Sequence, residues 1–213
     1  MSLDLPEGSF RRYDESPDTW FYRQPRFVEH IDTGAIAAVT QLHREIFPAG
    51  GRVLDLMSSW VSHLPPEVEY DRVTGLGLNE EELAANPRLD AYVVQDLNAE
   101  SDLPFEDGVF DAAEICVSIQ YLTHPVEVLR DLSRVLTAGA PLAVTFSNRC
   151  FPTKAVAVWQ ALGEAGHAQL VASYLESAGN WSDIRTLNRS PLTPGTDPLW
   201  AVVALSAPPN LPC

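Results

Sequence analysis

Short apolar runs recur along the chain and predict buried β-strands. Five of them precede residue 150 and two follow residue 180: 52–57, 72–78, 91–95, 110–117, 141–146, 181–187 and 199–205. Continuous apolar runs, in contrast to alternating ones, are typical of strands covered on both faces of a parallel sheet. The first five runs therefore predict a mainly parallel sheet.

Apolar residues at helical spacing lie between these strands. One such face runs from Ile36 to Ile46 and predicts a helix that follows an N-cap at Asp32 and stops before Pro48. Further helices are predicted at 79–83, where Asn79 is the N-cap, at 125–136 and, as one long region, at 153–175.

The last two predicted strands are joined by NRSPLTPGTDP, a turn-rich loop with no room for a helix, and we expect them to pair as an antiparallel hairpin. The predicted fold class is α/β, a doubly wound, mainly parallel seven-stranded sheet with a C-terminal antiparallel hairpin. We predict three parts: an N-terminal arm and helix at 1–48, extended over its first 20 residues and able to form a lid, the α/β domain at 49–206, and a tail at 207–213.

Charge and composition narrow the classes of partner. The 213 residues carry a formal net charge of −15, which disfavours nucleic acid because phosphate binding needs lysine and arginine. Cys116, Cys150 and Cys213 are too far apart for a disulfide framework or a metal site, so we expect reduced thiols and no metal. With neither a secretory signal pattern nor a membrane-spanning apolar run, the sequence predicts a cytoplasmic protein. It does not indicate the oligomeric state.

The expected ligand site lies where the strands end. In open α/β sheets, ligands bind outside the carboxyl ends of the strands, near the point where the strand order reverses. This rule selects four loops, at 57–63, 77–79, 96–97 and 116–121.

Four segments around these loops resemble the successive motifs of class I S-adenosylmethionine-dependent methyltransferases: VLDLMSSW, VTGLGLNEEEL, VVQDLNAESDLPFEDGVFDAAEICVSIQYL and VLRDLSRVLTAGAPLAVTFSN. The resemblance extends over residues 50–206, including the terminal hairpin. It implies S-adenosylmethionine as the cofactor and methyl transfer to a small-molecule acceptor. The cofactor-binding residues that it implies are Asp55, Met57, Ser58, Ser59, Gly77, Leu78, Asn79, Asp96, Leu97 and Cys116.

Two positions depart from the family pattern. The first loop, MSSWV, has none of the usual glycines that let the backbone approach the cofactor, and Gly77 stands where an acid often binds the ribose. Asn79 or Glu80 could substitute for that acid. Three interpretations follow: the cofactor binds in an altered pose, the fold serves as a non-catalytic interaction protein, or another small molecule occupies the cleft. A nicotinamide enzyme is disfavoured because the chain has no G-x-G-x-x-G.

The acceptor side is predicted from two segments. Gln120 and Tyr121 follow the fourth strand, where the family often contacts the reacting group. In the arm, Tyr22, Arg26 and His30 are candidates for holding an anionic substrate, since arginine binds carboxylate or phosphate in bidentate fashion. The alternative is an arm that simply packs on the sheet edge.

No residue is assigned a catalytic role from the sequence. His30 or His63 could act as a base for an oxygen or nitrogen acceptor, whereas a carbon or sulfur acceptor needs none. Ser58 and Ser59 are expected to donate hydrogen bonds and not to act as nucleophiles, because no G-x-S-x-G surrounds them.

Overall fold

A computed structural model describes residues 3–207. Residues 208–213 of the predicted tail, with Cys213, lie outside the described residues. The seven strands form one sheet in the order β3-β2-β1-β4-β5-β7-β6. Their bounds are Arg52–Leu56 (β1), Arg72–Gly77 (β2), Ala91–Val94 (β3), Ala112–Cys116 (β4), Pro141–Phe146 (β5), Trp181–Asn188 (β6) and Trp200–Ser206 (β7).

Strands β1 to β5 pair in parallel, and β7 runs antiparallel to both β5 and β6. The predicted mainly parallel sheet with a closing hairpin is therefore confirmed. The strand order reverses between β1 and β4, so the carboxyl ends of β1 to β4 surround the crevice in which such sheets bind ligands.

The helices are Asp18–Phe21 (α1), Thr33–Ile46 (α2), Glu80–Ala85 (α3), Pro125–Val135 (α4), Ala157–Gln160 (α5) and Glu164–Ala178 (α6). Two predicted N-caps are confirmed: Asp32 accepts a hydrogen bond from the N–H of Ala35, and Asn79 accepts one from Glu82. Each satisfies a backbone donor that a helix start leaves without a partner.

The prediction of one long helix at 153–175 is wrong. The N–H groups of Val156 and Ala157 donate to the carbonyls of Gln120 and Arg11 and not within a helix. A second helix, α6, begins after Gly163, which has an extended backbone. Contacts to the N-terminal arm thus replace the first turns of the expected helix.

The expectation of an extended arm over residues 1–20 is also wrong for the part that the structure describes. The hydroxyl and N–H of Ser9 both donate to the Pro6 carbonyl in a turn, and Asp18 begins the short helix α1. The arm then continues to α2 across the carboxyl ends of the strands.

The two faces of the sheet are covered differently. Helices α4 and α6 cover one face in a large apolar core that includes Leu54, Ile115 and Val144. Helix α2 covers the other face, where Val53 and Ala112 are apolar but buried polar residues follow them nearer the crevice. The face covered by α4 and α6 therefore supports the site with an apolar core, whereas the face covered by α2 contributes buried polar groups near the crevice.

Candidate functional site

A cavity of about 340 Å³ lies at the carboxyl ends of β1 to β4, beneath the N-terminal arm. This volume is within the ~300–1,000 Å³ typical of small-molecule pockets. Its walls come from 57–59, 76–79, 82, 95–98, 116–118, 121–122 and 149–151, and its roof from Asp18, Tyr22, Arg26, Glu29 and His30. The loops selected from the sequence thus meet at one cavity.

The loop after β1 is held by its own hydrogen bonds. Ser58 and Ser62 both donate to the buried carboxylate of Asp55, over 2.6 and 2.5 Å, and Ser59 donates to Glu82 over 2.6 Å. Met57 adopts a left-handed backbone with φ 62°, which an L side chain rarely does. Contrary to the expected strand end at 57, β1 stops at Leu56, and Met57 turns the chain into the cavity wall.

Gly77 is explained by this loop. A Cβ atom at position 77 would approach the carbonyl oxygen of Ser58 to well under 3.0 Å. The Ser58 N–H donates to the Leu76 carbonyl over 2.8 Å and holds the loop in that position. The close approach of the first loop therefore requires glycine at position 77 of the neighbouring strand. The family often has an acid at this position, but here the Ser58 carbonyl occupies the space that an acidic side chain would need.

Asn79 and Glu82 bind the arm. The Asn79 amide donates to the carbonyls of Tyr22 and Arg23, and the carboxylate of Glu82 accepts the backbone N–H of Arg26 over 2.7 Å. The Asn79 side chain is thus fully engaged: its amide nitrogen pins the arm, and its oxygen caps α3. Glu80 does not line the cavity. Glu82 was not singled out from the sequence, because only the fold brings it near Ser59 and the arm.

The loop after β3 contributes both an acid and an apolar surface. Asp96 lines the cavity, and its Oδ1 accepts the N–H of Asn98 over 2.9 Å. Leu97 beside it is buried and also faces the cavity. The Asn98 amide donates to Asp18 and to the Tyr121 carbonyl, so this loop also holds the arm.

The loop after β4 places its residues unequally. Cys116 and Tyr121 line the cavity, whereas Gln120 is buried outside it and donates to the Val117 carbonyl over 2.8 Å. Ser118 also lines the cavity, and its buried hydroxyl has no hydrogen-bond partner among residues 3–207. Val117 has φ 45°, a strained conformation for a β-branched residue, and such strain clusters at functional sites.

Tyr22, Arg26 and His30 all line the roof of the cavity, and their role in holding an anionic substrate stays a prediction. The guanidinium carbon of Arg26 lies 4.6 Å from the ring centre of Phe21, and His30 lies edge-on to Phe151 with ring centres 5.4 Å apart. Partial burial is the main cause that lowers the pKa of His30 below its ordinary value, with Arg26 acting in the same direction and Glu82 against it. His30 is therefore neutral at physiological pH.

A buried ionic cluster anchors the first part of the arm. Asp18 accepts two hydrogen bonds from Arg12, over 2.8 and 2.7 Å, and lies 3.1 Å from the ammonium of Lys154, which is fully buried. Lys154 also donates to the Ser16 carbonyl over 2.6 Å. Sequence periodicity assigned Lys154 to a helix, and nothing in the local pattern indicated its partners.

Beneath the loop after β1 is a pair of buried carboxylates on adjacent strands. Asp55 lies in register with Glu114 on β4, and Glu114 is 3.3 Å from Nε2 of His43 on α2. Burial raises the pKa of Asp55 to about 6 and that of Glu114 well above its ordinary value, whereas burial lowers that of His43 to about 3. Glu114 and His43 therefore form a neutral acid–imidazole contact and not an ion pair.

A smaller pocket of about 50 Å³ adjoins the main cavity and shares His30, Met57 and Val117 with it. His63 and Asp55 line this pocket and not the main one. Burial lowers the pKa of His63. His30 thus stands between the two spaces, whereas His63 is reached only from the smaller one.

Within residues 3–207, no group of three His, Cys, Asp or Glu side chains is arranged to hold a metal ion. No helix within the same range is long and apolar enough to cross a membrane.

The comparisons with known proteins agree with this geometry. Residues 57–144 match the family model described as a methyltransferase domain. Of the four motifs on which the resemblance to class I methyltransferases was based, the matched segment contains the second and third, most of the fourth and the end of the first. The resemblance inferred from its motifs is thereby confirmed. No curated protein shows a significant sequence match.

Several solved structures share the fold. The cyclase SpnF is 15% identical with a TM-score of 0.63, and the match covers 89% of this chain and 91% of SpnF. Phosphoethanolamine N-methyltransferase 2 of Haemonchus contortus, in complex with S-adenosyl-L-methionine, is 15% identical with a TM-score of 0.61, covering 89% and 56%. Geranyl diphosphate C-methyltransferase of Streptomyces coelicolor A3(2), with Mg2+, geranyl diphosphate and S-adenosyl-L-homocysteine, is 13% identical with a TM-score of 0.57, covering 89% and 97%. At these identities the likeness concerns the fold.

Proposed function

We propose that this protein transfers a methyl group from S-adenosylmethionine to a small-molecule acceptor beneath the N-terminal arm. The observation that carries the proposal is the roofed cavity at the carboxyl ends of β1 to β4, whose walls come largely from the matched methyltransferase segment. Two structural neighbours contain S-adenosylmethionine or S-adenosylhomocysteine, which supports the choice of cofactor.

The cavity walls suit an adenosyl group. Leu76 and Leu97 supply apolar surface, while Asp96 accepts only the Asn98 N–H among the described residues and keeps Oδ2 for a donor such as an amino group. Ser118 lines the same cavity, and its buried hydroxyl has no partner among the described residues. In this pose Asp96 and Leu97 hold the adenine, and Met57, Ser58 and Cys116 bound the rest of the cofactor. Asp55 acts only by shaping the loop, because its carboxylate is occupied by Ser58 and Ser62.

The arm supplies the chemistry that the walls do not. When bound, the cofactor supplies an electrophilic methyl group on a sulfonium. The protein's tasks are to align the acceptor, exclude water and remove a proton where the acceptor carries one. His30 is neutral and lines the cavity, so it accepts that proton from an oxygen or nitrogen acceptor.

The second candidate is an interaction protein with the same fold and no catalytic role. It is favoured by the loop after β1, which is satisfied internally and has replaced the usual glycines. The structural likeness to the cyclase SpnF also agrees with this candidate, because one fold hosts many functions. This candidate predicts no affinity for the cofactor.

Calorimetric titration with S-adenosylhomocysteine tests the proposal. We expect micromolar affinity for the wild type, at least about tenfold weaker affinity for Asp96→Ala because a charged hydrogen-bond acceptor is lost, and unchanged affinity for Asp102→Ala, an exposed acid in the same segment. No heat of binding from folded wild-type protein would favour the interaction protein. Equal affinities in all three proteins would remove Asp96 from the site.

A further inference from the structure

We propose that the arm carries a preformed receptor for an anionic group, centred on the guanidinium of Arg26. The inference rests on the proposed function for its location, but its chemistry stands on the contacts of Arg26 alone. The group that it receives is a carboxylate or a phosphate, and it belongs either to the amino-acid part of the cofactor or to the acceptor.

The side chain of Arg26 is fixed in place without any acid. Its guanidinium carbon lies 4.6 Å from the ring centre of Phe21, 5.3 Å from that of Phe151 and 5.7 Å from that of Tyr22. Nη2 donates to the Phe21 carbonyl over 2.9 Å. Three rings and one carbonyl thus orient the planar group before any ligand arrives, which reduces the entropy lost on binding.

One end of this guanidinium is left unsatisfied. Nη1 is buried and has no hydrogen-bond partner within residues 3–207, although Arg26 lines the cavity. No carboxylate oxygen in the same range lies within 4.0 Å of the guanidinium. An unpaired donor on a cation is costly to bury, and a ligand anion removes that cost.

The nearby acids are already engaged elsewhere. Asp18 is held by Arg12, Lys154 and Asn98. Glu82 accepts the backbone N–H of Arg26 and the hydroxyl of Ser59, so it fixes the arm without pairing with the guanidinium. The charge of Arg26 therefore remains available to a ligand.

The arrangement differs from that of the other cation at the cavity wall. Arg149 donates to Asp197 over 2.8 Å and extends largely into solvent. Arg149 thus has a protein partner, whereas Arg26 is enclosed, oriented and unpaired. Arginine in such a setting is suited to planar, bidentate recognition of carboxylate or phosphate.

The test compares two ligands and three proteins by calorimetry. S-adenosylhomocysteine carries the amino-acid carboxylate, whereas 5′-methylthioadenosine has the same adenosyl part without it. The variants are Arg26→Met, which keeps an apolar stem between the rings, and Arg23→Met, which removes the same charge at an exposed position three residues away. Inorganic pyrophosphate is then titrated into each protein, free and saturated with S-adenosylhomocysteine.

If the anion belongs to the cofactor, Arg26→Met binds S-adenosylhomocysteine at least about tenfold more weakly and 5′-methylthioadenosine unchanged, and Arg23→Met behaves as wild type. If it belongs to the acceptor, Arg26→Met leaves both adenosyl ligands unchanged and loses the pyrophosphate binding that wild type and Arg23→Met retain. Either result supports the receptor.

Equal weakening of both adenosyl ligands in Arg26→Met overturns the inference, because Arg26 then only holds the arm in position. Unchanged binding of all three probes overturns it as well. If the wild-type protein binds neither adenosyl ligand, the proposed function is wrong, and pyrophosphate alone then tests the receptor. Pyrophosphate binding that is lost in Arg26→Met supports the receptor. No pyrophosphate binding to the wild type overturns it.

Discussion

The loop after β1 and the arm above it form opposite sides of one cavity and are built in opposite ways. In the loop, Ser58 and Ser59 donate to Asp55 and Glu82, so its polar groups are satisfied by the protein itself. In the arm, Arg26 keeps a buried donor without a partner among the described residues. A satisfied loop holds its shape without a ligand, whereas an unsatisfied arm gains from one. This contrast underlies the proposal that ligand recognition rests on the arm more than on the loop, and changes on each side should separate their contributions.

The largest effect is expected from Asp18→Asn, which removes the shared partner of Arg12 and Lys154. Breaking a buried ionic contact typically costs about 3–5 kcal/mol. Here Arg12 loses its carboxylate partner, whereas Lys154 keeps Asp14 at 3.3 Å. We expect faster amide exchange throughout the arm and unchanged exchange at the loop after β1. Asp183→Asn is the control, because its contact with Arg185 is exposed. Equal loosening of both sides would mean that they are not separable.

Gly77→Ala is the converse change. The added Cβ meets the Ser58 carbonyl, so the loop must shift, and we expect the free energy of unfolding to fall by about 1–3 kcal/mol. Gly163→Ala is the matched control, since nothing lies within 4 Å of a Cβ there. Chemical denaturation measures both. A Gly77→Ala protein as stable as the control would contradict the close approach of loop and strand.

The pH dependence sharpens the account of the loop. The folded pKa of Asp55 is raised to about 6, so the folded protein binds the proton more tightly than the unfolded one, and ionising Asp55 lowers stability as pH rises from ~4 to about 6. Asp55→Asn does not ionise. We therefore expect the variant to become more stable relative to wild type across this window.

Asp111→Asn is the control for that series. Hydrogen bonds from Arg52 hold the pKa of Asp111 at about 2, so its carboxylate is ionised in both the folded and the unfolded protein above pH ~5. The stability difference between this variant and wild type should therefore change little from pH ~4 to about 6 and stay constant above pH ~5. A difference for Asp55→Asn that is equally constant would contradict a protonated Asp55 in the loop.

The smallest effect is expected from Trp60→Phe. Trp60 donates from Nε1 to the Val28 carbonyl over 3.0 Å, a direct link between loop and arm at the surface. Losing one exposed hydrogen bond costs about 0.5 kcal/mol. We expect slightly faster exchange near Val28 and no change in global stability, as measured by hydrogen exchange and denaturation. A large global loss would show that loop and arm are strongly coupled.

The sheet could be predicted from the sequence because its signals are local. The apolar run at 141–146 and the N-caps at Asp32 and Asn79 report on their own neighbourhood, and the structure bears them out. The rule that ligands bind at the carboxyl ends of the strands likewise selected four loops that contribute to the cavity wall.

The site itself could be predicted only in part. The roles of Asn79, Glu82 and Lys154 depend on residues more than fifty positions away, and no local pattern contains those contacts. Gln120 follows the correct strand, but the turn directs its side chain away from the cavity. The break at 153–156 also arises from the arm. Contacts between the arm and residues far from it in the sequence are therefore the part of the site that could not be predicted.

Hydrogen exchange of the free protein and of the protein saturated with both S-adenosylhomocysteine and pyrophosphate, which together supply either source of the anion, tests the central claim most directly. Ligand should slow exchange at the amides of residues 18–32, where the arm gains its missing partner, and change little at residues 57–60, which are already satisfied. Protection confined to residues 57–60, or no protection at a concentration that saturates binding, would contradict the claim that recognition lies in the arm.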